Sequence, residues 1–470
     1  MDTTLDSKRY AYFIGIGGIG MSALARFLRQ EHGLSVSGFD RTPSSVTEAL
    51  ESEGIKVVFD DAKSALPQEM REAPIDSILV IRTPAVPDHH PHQRAFEARG
   101  ISVLKRSELL GILTASQPTL AVAGTHGKTT TCAILAHMAE GCPGGCNAFL
   151  GGITLEKKSN LYTSPNAPWT IVEADEFDRS FLHLKPQHAV ITSLDTDHLE
   201  TYGSAEAYHE AFFAFDRLVE SPSIVHASVE WPNIHAPRYG IANNRKDAES
   251  LTYAAIRPHL DEGMIIADVK LDDEWFEAIR FPMPGMHNVE NAIAALALAK
   301  QAGLTISTCL ERLATFPGIE RRFAYHIRSQ AGTYIDDYAH HPAELQAAID
   351  AARVHHPKQE ITGIFQPHLY SRTAAHLKEF GRILAQLDRV FLLPIYAARE
   401  EPIPGIDSQT LFENIPSGAK HLIQSEQIFD NLKVHPPQVL MTLGAGDINR
   451  CVEPLVKWLL EDLSRFKEHD

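Results

Sequence analysis

The stretch TLAVAGTHGKTTT occupies residues 119–131, and its order of residue types predicts a phosphate-binding turn. A short apolar, β-branched run comes first, then two glycines with Lys128 directly after the second, and then an alanine-rich helical pattern. Gly124 and Gly127 let the backbone approach a polyphosphate, which the loop amides and the helix N-terminus attract. Lys128 is placed to reach the β- and γ-phosphates, and the Thr129 hydroxyl is placed to bind Mg²⁺.

The spacing of this turn is G-x-x-G-K-T, which is shorter than the common G-x-x-x-x-G-K-[ST] because Val122 stands where the longer form needs glycine. A turn of this composition could also be a plain strand-to-helix connection. The flanking strand and helix patterns favour phosphate binding, since the motif requires both.

Composition limits the classes of protein that fit. The chain has 470 residues, which is more than one core usually holds, so several domains are expected. Its 43 basic and 60 acidic residues give a net charge of −17, which argues against general binding to nucleic acids or membrane surfaces. No apolar run reaches membrane-spanning length, and the first ten residues lack the apolar core of a signal peptide. Five scattered cysteines do not form a disulfide pattern, and a reducing cytoplasm fits them.

A second glycine turn, GIGGIG, lies at residues 15–20 near the N-terminus. Strand patterns at 10–16 and 34–39 enclose a helical pattern at 21–30, and Asp40 follows twenty residues after the last glycine. This G-x-G-x-x-G turn fits NAD, FAD or another nucleotide diphosphate equally well. The alternative is a glycine turn that only packs a strand on a helix.

Polar residues follow two strands of the central region. A strand pattern at 169–172 runs into the acidic segment EADEFD, and another at 189–194 runs into DTDH, which ends at His198. Carboxylates at the carboxyl end of a strand are where an α/β sheet places metal ligands. The acidic run could instead be a solvated loop, and a single histidine at a strand end is often structural.

The last third of the chain repeats this pattern. Three strand patterns end in DDYAHHP, QPHLYSR and GAGD, which predicts one binding edge. Before them, Asn288 and Asn291 lie three residues apart at the start of an alanine-rich helix. Paired amides suit the edge of a purine, and the alternative is ordinary capping of the helix start.

Taken in order, the segments GIGGIGMSALA, GTHGKTTT, EADEFDRSF, DTDHLE, GMHNVENAIAA and DDYAHHP with FQPHLYSR resemble the Mur ligase family over nearly the whole chain. The resemblance implies an α/β protein of three domains. These would be a Rossmann-like domain at 1–114 for a UDP-sugar, a P-loop ATPase-like domain at 115–318 for ATP, and a Rossmann-like domain at 319–470 for an amino acid.

The resemblance also implies a role for individual residues. The residues expected to bind the UDP-sugar are Gly15, Gly17, Gly18, Gly20, Met21 and Asp40. Those expected to bind ATP are Gly124, Thr125, His126, Gly127, Lys128, Thr129, Thr130, Asn288, Asn291, Arg322 and Asp337. Mg²⁺ would be held by Thr129, Glu173 and His198, and the amino acid by Tyr338, His340, His368 and Arg372. The expected catalytic residues are Lys128, Glu173, His198, His340 and Arg372.

The implied activity is an ATP-dependent amide ligation in peptidoglycan precursor synthesis, through an acyl phosphate, by a cytoplasmic monomer or homodimer. FQPHLYSRT, IYAAREEP and GAGDI favour L-alanine as the amino acid added to UDP-N-acetylmuramate, and the alternative is a murein tripeptide. Two positions depart from the family pattern: Leu369 replaces a frequent arginine, and Ser193 replaces a common asparagine.

Two other classes of protein remain possible from the residues alone. A nicotinamide-dependent oxidoreductase would explain the first glycine turn and Asp40, but it leaves the segments at 119–131 and 173–178 unexplained. A nucleotide-binding sensor would explain the phosphate-binding turn, but not three regions with polar strand ends.

Overall fold

The computed structural model describes residues 5–87, 89–195, 202–329, 332–398, 400–416 and 418–467. The chain divides into two compact units. Unit 1 comprises Met1–His259, Ile266–Phe281 and Val289–Pro317, and unit 2 comprises Leu260–Ile265, Pro282–Asn288 and Gly318–Asp470. No helix among the described residues has the length and apolar character needed to cross a membrane.

The first sheet has five parallel strands in the order β3-β2-β1-β4-β5. This is the order of a doubly wound nucleotide-binding fold, and it places the turn after β1 at the point where the strand order reverses. The strands are β1 Tyr10–Ile14, β2 Ser35–Phe39, β3 Lys56–Val58, β4 Ile78–Arg82 and β5 Val103–Lys105. The helices are α1 Ile19–Gln30, α2 Ser45–Ser52, α3 Gln68–Glu72, α4 Pro91–Glu97 and α5 Arg106–Ala115.

The second sheet has ten strands in the order β15-β14-β13-β12-β11-β10-β6-β9-β7-β8. Its strands are β6 Thr119–Ala123, β7 Asn147–Phe149, β8 Leu161–Tyr162, β9 Thr170–Ala174, β10 His188–Ile191, β11 Ile224–His226, β12 Arg238–Ala242, β13 Tyr253–Asp261, β14 Met264–Leu271 and β15 Glu274–Phe281. The α-helices described along this part of the chain are α6 Lys128–Glu140, α7 Ala205–Asp216, α8 Met286–Gln301 and α9 Ile306–Leu313.

The third sheet, in unit 2, has six strands in the order β16-β17-β21-β18-β19-β20, of which only β16 is antiparallel to its neighbour. Its strands are β16 Ala324–Arg328, β17 Thr333–Asp337, β18 Ile361–Phe365, β19 Arg389–Leu392, β20 Ala419–Leu422 and β21 Val439–Leu443. Its helices are α10 Pro342–His355, α11 Tyr370–Ala375, α12 Leu377–Leu384, α13 Ser408–Asn414, α14 Ile428–Val434 and α15 Val452–Lys467. Short 3₁₀ turns complete the described secondary structure at Leu5–Ser7, Lys63–Ala65, Ile75–Ser77, Phe177–His183, Asp247–Ser250, Ser425–Gln427 and Asp447–Cys451.

The first two sheets share one hydrophobic core within unit 1. The rings of Phe27 and Phe149 meet edge to face at 5.0 Å. Next to them, the Asn160 side chain is completely buried, donates to the Ile19 carbonyl at 2.6 Å and accepts from Arg26 at 2.7 Å. The α1 helix, which follows the first glycine turn, is therefore fixed to the central region by both apolar and polar contacts.

Several boundaries differ from the sequence-based expectation. Strand β1 ends at Ile14 and not at residue 16, and β10 ends at Ile191 and not at residue 194. Helix α6 begins at Lys128 and not near Cys132, because Gly127 adopts a left-handed conformation and starts the helix directly. Strand β9 continues to Ala174, so Glu173 belongs to the strand. Strand β5 begins two residues later than expected, at Val103. In contrast, the apolar patterns at 119–123, 361–365 and 439–443 predict the bounds of β6, β18 and β21 without error.

Candidate active site

The phosphate-binding turn joins β6 to α6 and is built around Gly124 and Gly127. Both glycines have positive φ angles, 131° and 82°, which side chains rarely allow. A Cβ at position 127 would also collide with the Asn291 side-chain oxygen. Asn291, predicted to bind adenine, therefore lies directly against the turn, where its oxygen is 3.4 Å from the Thr131 hydroxyl.

Residues after β10 support the same turn from the neighbouring strand. The Ser193 hydroxyl accepts from the His126 backbone N–H at 2.9 Å, and the Thr192 hydroxyl donates to the His126 carbonyl at 2.5 Å. Thr125 donates to the Asp195 carbonyl at 2.7 Å. The conformation of the turn is thus fixed on both sides before a ligand is considered.

Lys128 lies at the centre of the turn, in the first turn of α6. Its ammonium donates to the carbonyls of Gly124 at 2.5 Å and Thr125 at 3.2 Å, and to Glu176 Oε2 at 2.8 Å. Burial would lower the pKa of Lys128, but the carboxylates of Glu176 and Asp175 outweigh that effect and hold its pKa above the ordinary value. The lysine is therefore a fixed, fully charged cation at the predicted phosphate position.

The acidic residues of the segment 173–178 pair with different partners. Glu173 accepts from the Thr129 hydroxyl at 3.1 Å and from the Gly151 backbone at 2.5 Å. Glu176 is paired with Lys128, as described above. Asp175 pairs with Arg106 and Asp178 pairs with Lys105, each at 3.0 Å. Both basic residues lie at the end of β5, in the first sheet, or directly after it.

Of the carboxylates in this run, Glu173 was predicted to bind Mg²⁺, and it lies beside Thr129. Thr129 and Glu173 place a hydroxyl and a carboxylate oxygen side by side at the start of α6, and oxygen donors of this kind suit Mg²⁺. Burial raises the pKa of Glu173, although the Gly151 backbone, Lys128 and Thr129 oppose the shift. His198, the third predicted ligand, lies outside the described residues, so its role stays a prediction.

The first glycine turn, between β1 and α1, has its own fixed conformation. Gly15 has a φ of 87°, and a Cβ there would collide with Thr83. The Asp40 carboxylate accepts from the backbone of Gly17 at 2.7 Å and of Arg41 at 2.8 Å. Asp40, predicted to contact the uridine side, therefore holds the turn itself. Of the other predicted residues, Gly18 is the N-cap of α1, and Gly20 and the buried Met21 lie in its first turn.

In unit 2 the three predicted strand ends lie at one edge of the sheet, because β17, β21 and β18 are parallel neighbours whose carboxyl ends meet. That this edge binds a ligand stays a prediction. The Tyr338 ring packs under the guanidinium groups of Arg321 and Arg322, at 4.9 Å and 5.3 Å. The rings of His340 and His368 are 5.7 Å apart, and Arg372 contacts His368 Nδ1 at 3.3 Å. These predicted residues therefore form one cluster.

Two ionisable groups of this cluster have shifted pKa values. Burial raises the pKa of Asp337 to about 7, although Arg322 and two backbone donors oppose the shift. Burial lowers the pKa of His368 to about 4, and its neighbours His340 and Arg372 lower it further. The pKa of His340 is also lowered, chiefly by burial, so both histidines are neutral at pH 7.

Two residues that were predicted to bind ATP make contacts within the fold. Asn288, predicted to bind adenine, donates to the Pro284 carbonyl at 2.6 Å, across the start of α8. Thr130, predicted to bind ATP, is buried in the first turn of α6.

Sequence reasoning did not assign Glu176 or Arg106 to the site. The signal for Glu176 was its place in the acidic run, but four acids in six residues do not show which one meets the lysine.

Comparison with known proteins places this geometry in a family. Three family models match consecutive parts of the chain: Mur ligase family, catalytic domain at residues 10–118; Mur ligase middle domain at 122–299; and Mur ligase, glutamate ligase domain at 321–447. A UDP-N-acetylmuramate–L-alanine ligase of Porphyromonas gingivalis is 43% identical over 458 residues, which are 95% of this chain and 98% of that protein. The chain belongs to the Mur ligase family.

Further relatives of the Mur ligase family cover the same length. A UDP-N-acetylmuramate–L-alanine ligase of Flavobacterium johnsoniae is 41% identical over 98% of this chain and 100% of its own. The crystal structure of a UDP-N-acetylmuramate-alanine ligase from Thermotoga maritima superposes with a TM-score of 0.82 at 26% identity, covering 96% of this chain and 99% of that one. The predicted α/β fold of three domains is confirmed.

The two departures from the Mur ligase pattern now have a structural description. Ser193 supports the phosphate-binding turn through the His126 backbone, as described above. Leu369 precedes α11 with a φ of 69°, and its N–H donates to the Tyr396 carbonyl at 2.9 Å. Position 369 therefore contributes a backbone contact beside the cluster of His368 and Arg372.

Proposed function

We propose that this protein is an ATP-dependent ligase that joins L-alanine to the carboxylate of UDP-N-acetylmuramate, forming ADP and phosphate in peptidoglycan precursor synthesis. The observation that carries the proposal is the presence, in one compact unit, of two different anion-binding turns: a diphosphate-type turn held by Asp40, and a triphosphate-type turn with Lys128, Thr129 and Glu173. Near-full-length relatives that carry this enzyme's name support it. We further propose a cytoplasmic location.

The reaction consists of two transfers. The carboxylate of the UDP-sugar attacks the γ-phosphoryl group of ATP, which gives an acyl phosphate and releases ADP. The amine of L-alanine then attacks the acyl carbon, an amide bond forms, and phosphate leaves. Lys128 supplies a fixed positive charge for the phosphoryl group, where stabilisation of developing charge lowers the barrier most.

The residues around the phosphate-binding turn fit a magnesium ion. Thr129, Glu173 and His198 would hold it, and when bound it would neutralise charge on the phosphate oxygens. The backbone N–H of Gly151 orients the Glu173 carboxylate towards Thr129, since it donates to the other carboxylate oxygen at 2.5 Å.

The attacking amine must lose a proton, and His340 is our proposed base. Its Nδ1 lies 3.0 Å from the Tyr338 carbonyl, which can only accept, so Nδ1 carries the hydrogen and Nε2 is free of one. Burial lowers the pKa of His340, so it is neutral and able to accept a proton at pH 7. Tyr338, His368 and Arg372 would bind L-alanine around it.

The test is release of phosphate from mixtures that each omit one substrate. We expect release only when ATP, UDP-N-acetylmuramate and L-alanine are present together, with an amide product of the expected mass. Glycine, L-serine and the tripeptide L-Ala-γ-D-Glu-diaminopimelate replace L-alanine in parallel reactions. Preference for the tripeptide would assign the protein to peptidoglycan recycling. A change in NADH absorbance, or nucleotide binding without turnover, would contradict the ligase assignment.

A further inference from the structure

Arg106 lies at the first glycine turn, although it is remote from that turn in sequence. It is the first residue of α5 and follows strand β5 at the carboxyl edge of the first sheet. Its guanidinium packs so closely on Gly20 that a Cβ at that position would lie 2.7 Å from Nη1. Gly20 is in the first turn of α1, whose N-terminal end faces the predicted diphosphate position.

The other side of the same guanidinium is fixed by a carboxylate. Arg106 Nη2 donates to Asp175 Oδ2 at 3.0 Å, and Asp175 Oδ1 accepts from the Phe177 backbone at 3.1 Å. The side chains of Arg106 and Asp175 are 22% and 35% exposed, so the pair is accessible but not freely solvated. Asp175 follows the strand that carries Glu173, which bonds to Thr129.

The positive charge of Arg106 lies in a protein that is acidic as a whole. A UDP-sugar acid brings a diphosphate and a carboxylate to a protein whose net charge is −17. The acidic segment 173–178 would repel that substrate, and Lys128, Lys105 and Arg106 are cations paired with it. A guanidinium has five N–H groups in a planar fork, and the contacts described for this part of the chain use one of them, on Asp175. The remaining donors suit phosphate oxygens.

We propose that Arg106 binds the diphosphate of the UDP-sugar at the Gly20 end of α1, with Asp175 as the residue that orients it. The inference rests on the proposed function for the identity of the substrate. It adds a side-chain contact to the backbone amides of the glycine turn, and it fixes the diphosphate relative to the strand that carries Glu173. The carboxylate end of the substrate would thereby be aligned with the phosphate-binding turn.

The test uses the full-length protein and the variants Arg106→Gln, Arg106→Lys and Lys105→Gln. Lys105→Gln is the matched control, because Lys105 carries the same charge one residue earlier and pairs with Asp178 of the same acidic segment. Calorimetry with UDP alone measures the diphosphate contact without the sugar acid. Steady-state assays give KM for UDP-N-acetylmuramate and for ATP separately.

We expect Arg106→Gln to weaken UDP binding and raise KM for UDP-N-acetylmuramate about tenfold or more, as the loss of a charge-assisted hydrogen bond would. KM for ATP should change less than about twofold, Arg106→Lys should recover part of the UDP affinity, and Lys105→Gln should resemble wild type. Unchanged UDP affinity in a folded Arg106→Gln variant would overturn the inference, and so would an equal effect of Lys105→Gln.

Failure of the proposed function gives a different result. In that case wild-type protein makes no amide product, while calorimetry with UDP still reports on Arg106. If Arg106→Gln does not fold, the variant Arg106→Lys decides the question, because it keeps a positive charge at this position. If Arg106 contacts the diphosphate, replacing its planar guanidinium with an ammonium should cause a measurable loss of UDP affinity. UDP affinity equal to wild type in Arg106→Lys would then overturn the inference.

Discussion

Lys128 Nζ lies 2.8 Å from Glu176 Oε2, so the cation of the phosphate-binding turn is paired with a carboxylate whose side chain is only 2% exposed. The Tyr202 hydroxyl also donates to the Glu176 backbone carbonyl, at 2.5 Å, which fixes this residue from a second direction. Because a buried ion pair is costly to break on one side, the charge that we propose to bind the nucleotide also affects the stability of the folded protein.

The first prediction separates these two effects of Lys128. Lys128→Ala should abolish turnover, and it should also lower the free energy of unfolding by about 3 kcal/mol, because Glu176 is left buried without its partner. The double variant Lys128→Met/Glu176→Gln should recover much of the stability without any activity. Urea unfolding and phosphate release measure the two properties. Turnover in Lys128→Ala would refute the assignment of the phosphate-binding turn.

The second prediction concerns the attachment of α1 to the central region. Asn160→Ala removes a buried amide that bonds to the Ile19 carbonyl and to Arg26, which keep their bonds to Ser22 and Glu53, and we expect a loss of about 2 kcal/mol in the free energy of unfolding. Asn233→Ala, at an exposed position whose side chain accepts from the His235 backbone of its own loop, is the control and should cost less than about 0.5 kcal/mol. Equal losses in the two variants would contradict a structural role for Asn160.

Much of the fold could be predicted because strand ends and glycine turns depend on local residue types. The runs that became β6, β18 and β21 are short, apolar and bounded by turn residues, and their bounds were predicted without error. Strands β13, β14 and β15 were not recognised. Their outer positions are exposed, so they lack the continuous apolar pattern of a buried parallel strand.

Within the site, residue types were predictable and pairings were not. The sequence indicates a lysine, a threonine and several carboxylates near a nucleotide, but the partner of each acid depends on how β9 lies beside β6 and α5. The Asp40 spacing likewise predicted an acidic residue beside the first turn, whereas its contact with the Gly17 backbone follows from the three-dimensional path of that turn. Most of the first sheet lies between Gly20 and Arg106 in the sequence, so no local pattern could indicate their contact.

The third prediction concerns pH. Arg372 can only donate, so His368 Nδ1 accepts and the histidine is neutral in the folded protein. Its pKa is lowered to about 4, below the ordinary value of 6.5, so the stability that neutral His368 contributes is complete above about pH 6.5 and is lost as the pH falls to about 4. His340, whose pKa is also lowered, acts in the same direction.

The measurement for this third prediction compares wild type with His368→Asn between pH 7.5 and 5.0. Wild type should lose more unfolding free energy on acidification than the variant, by up to about 1.4 kcal/mol per pH unit, which corresponds to one proton. The variant also loses the packing of the His368 ring against Tyr396, which lowers its free energy of unfolding by the same amount at every pH. This loss does not affect the slope of the free energy of unfolding against pH. Parallel stability curves for the two proteins would show that His368 does not titrate in this way.

The last prediction concerns magnesium. If the Thr129 hydroxyl and the Glu173 carboxylate hold the ion, Glu173→Gln and Thr129→Val should each raise the magnesium concentration for half-maximal activity by at least about tenfold, because each removes an oxygen ligand or its alignment. His198→Asn belongs in the same series. Glu206→Gln, which removes an equal charge at an exposed position on α7, should leave the titration unchanged. Binding of Mn²⁺ in the presence of ATP, followed by electron paramagnetic resonance, reports the same loss without turnover. Wild-type titrations in both Glu173→Gln and Thr129→Val would assign this pair to the packing of α6 against β9.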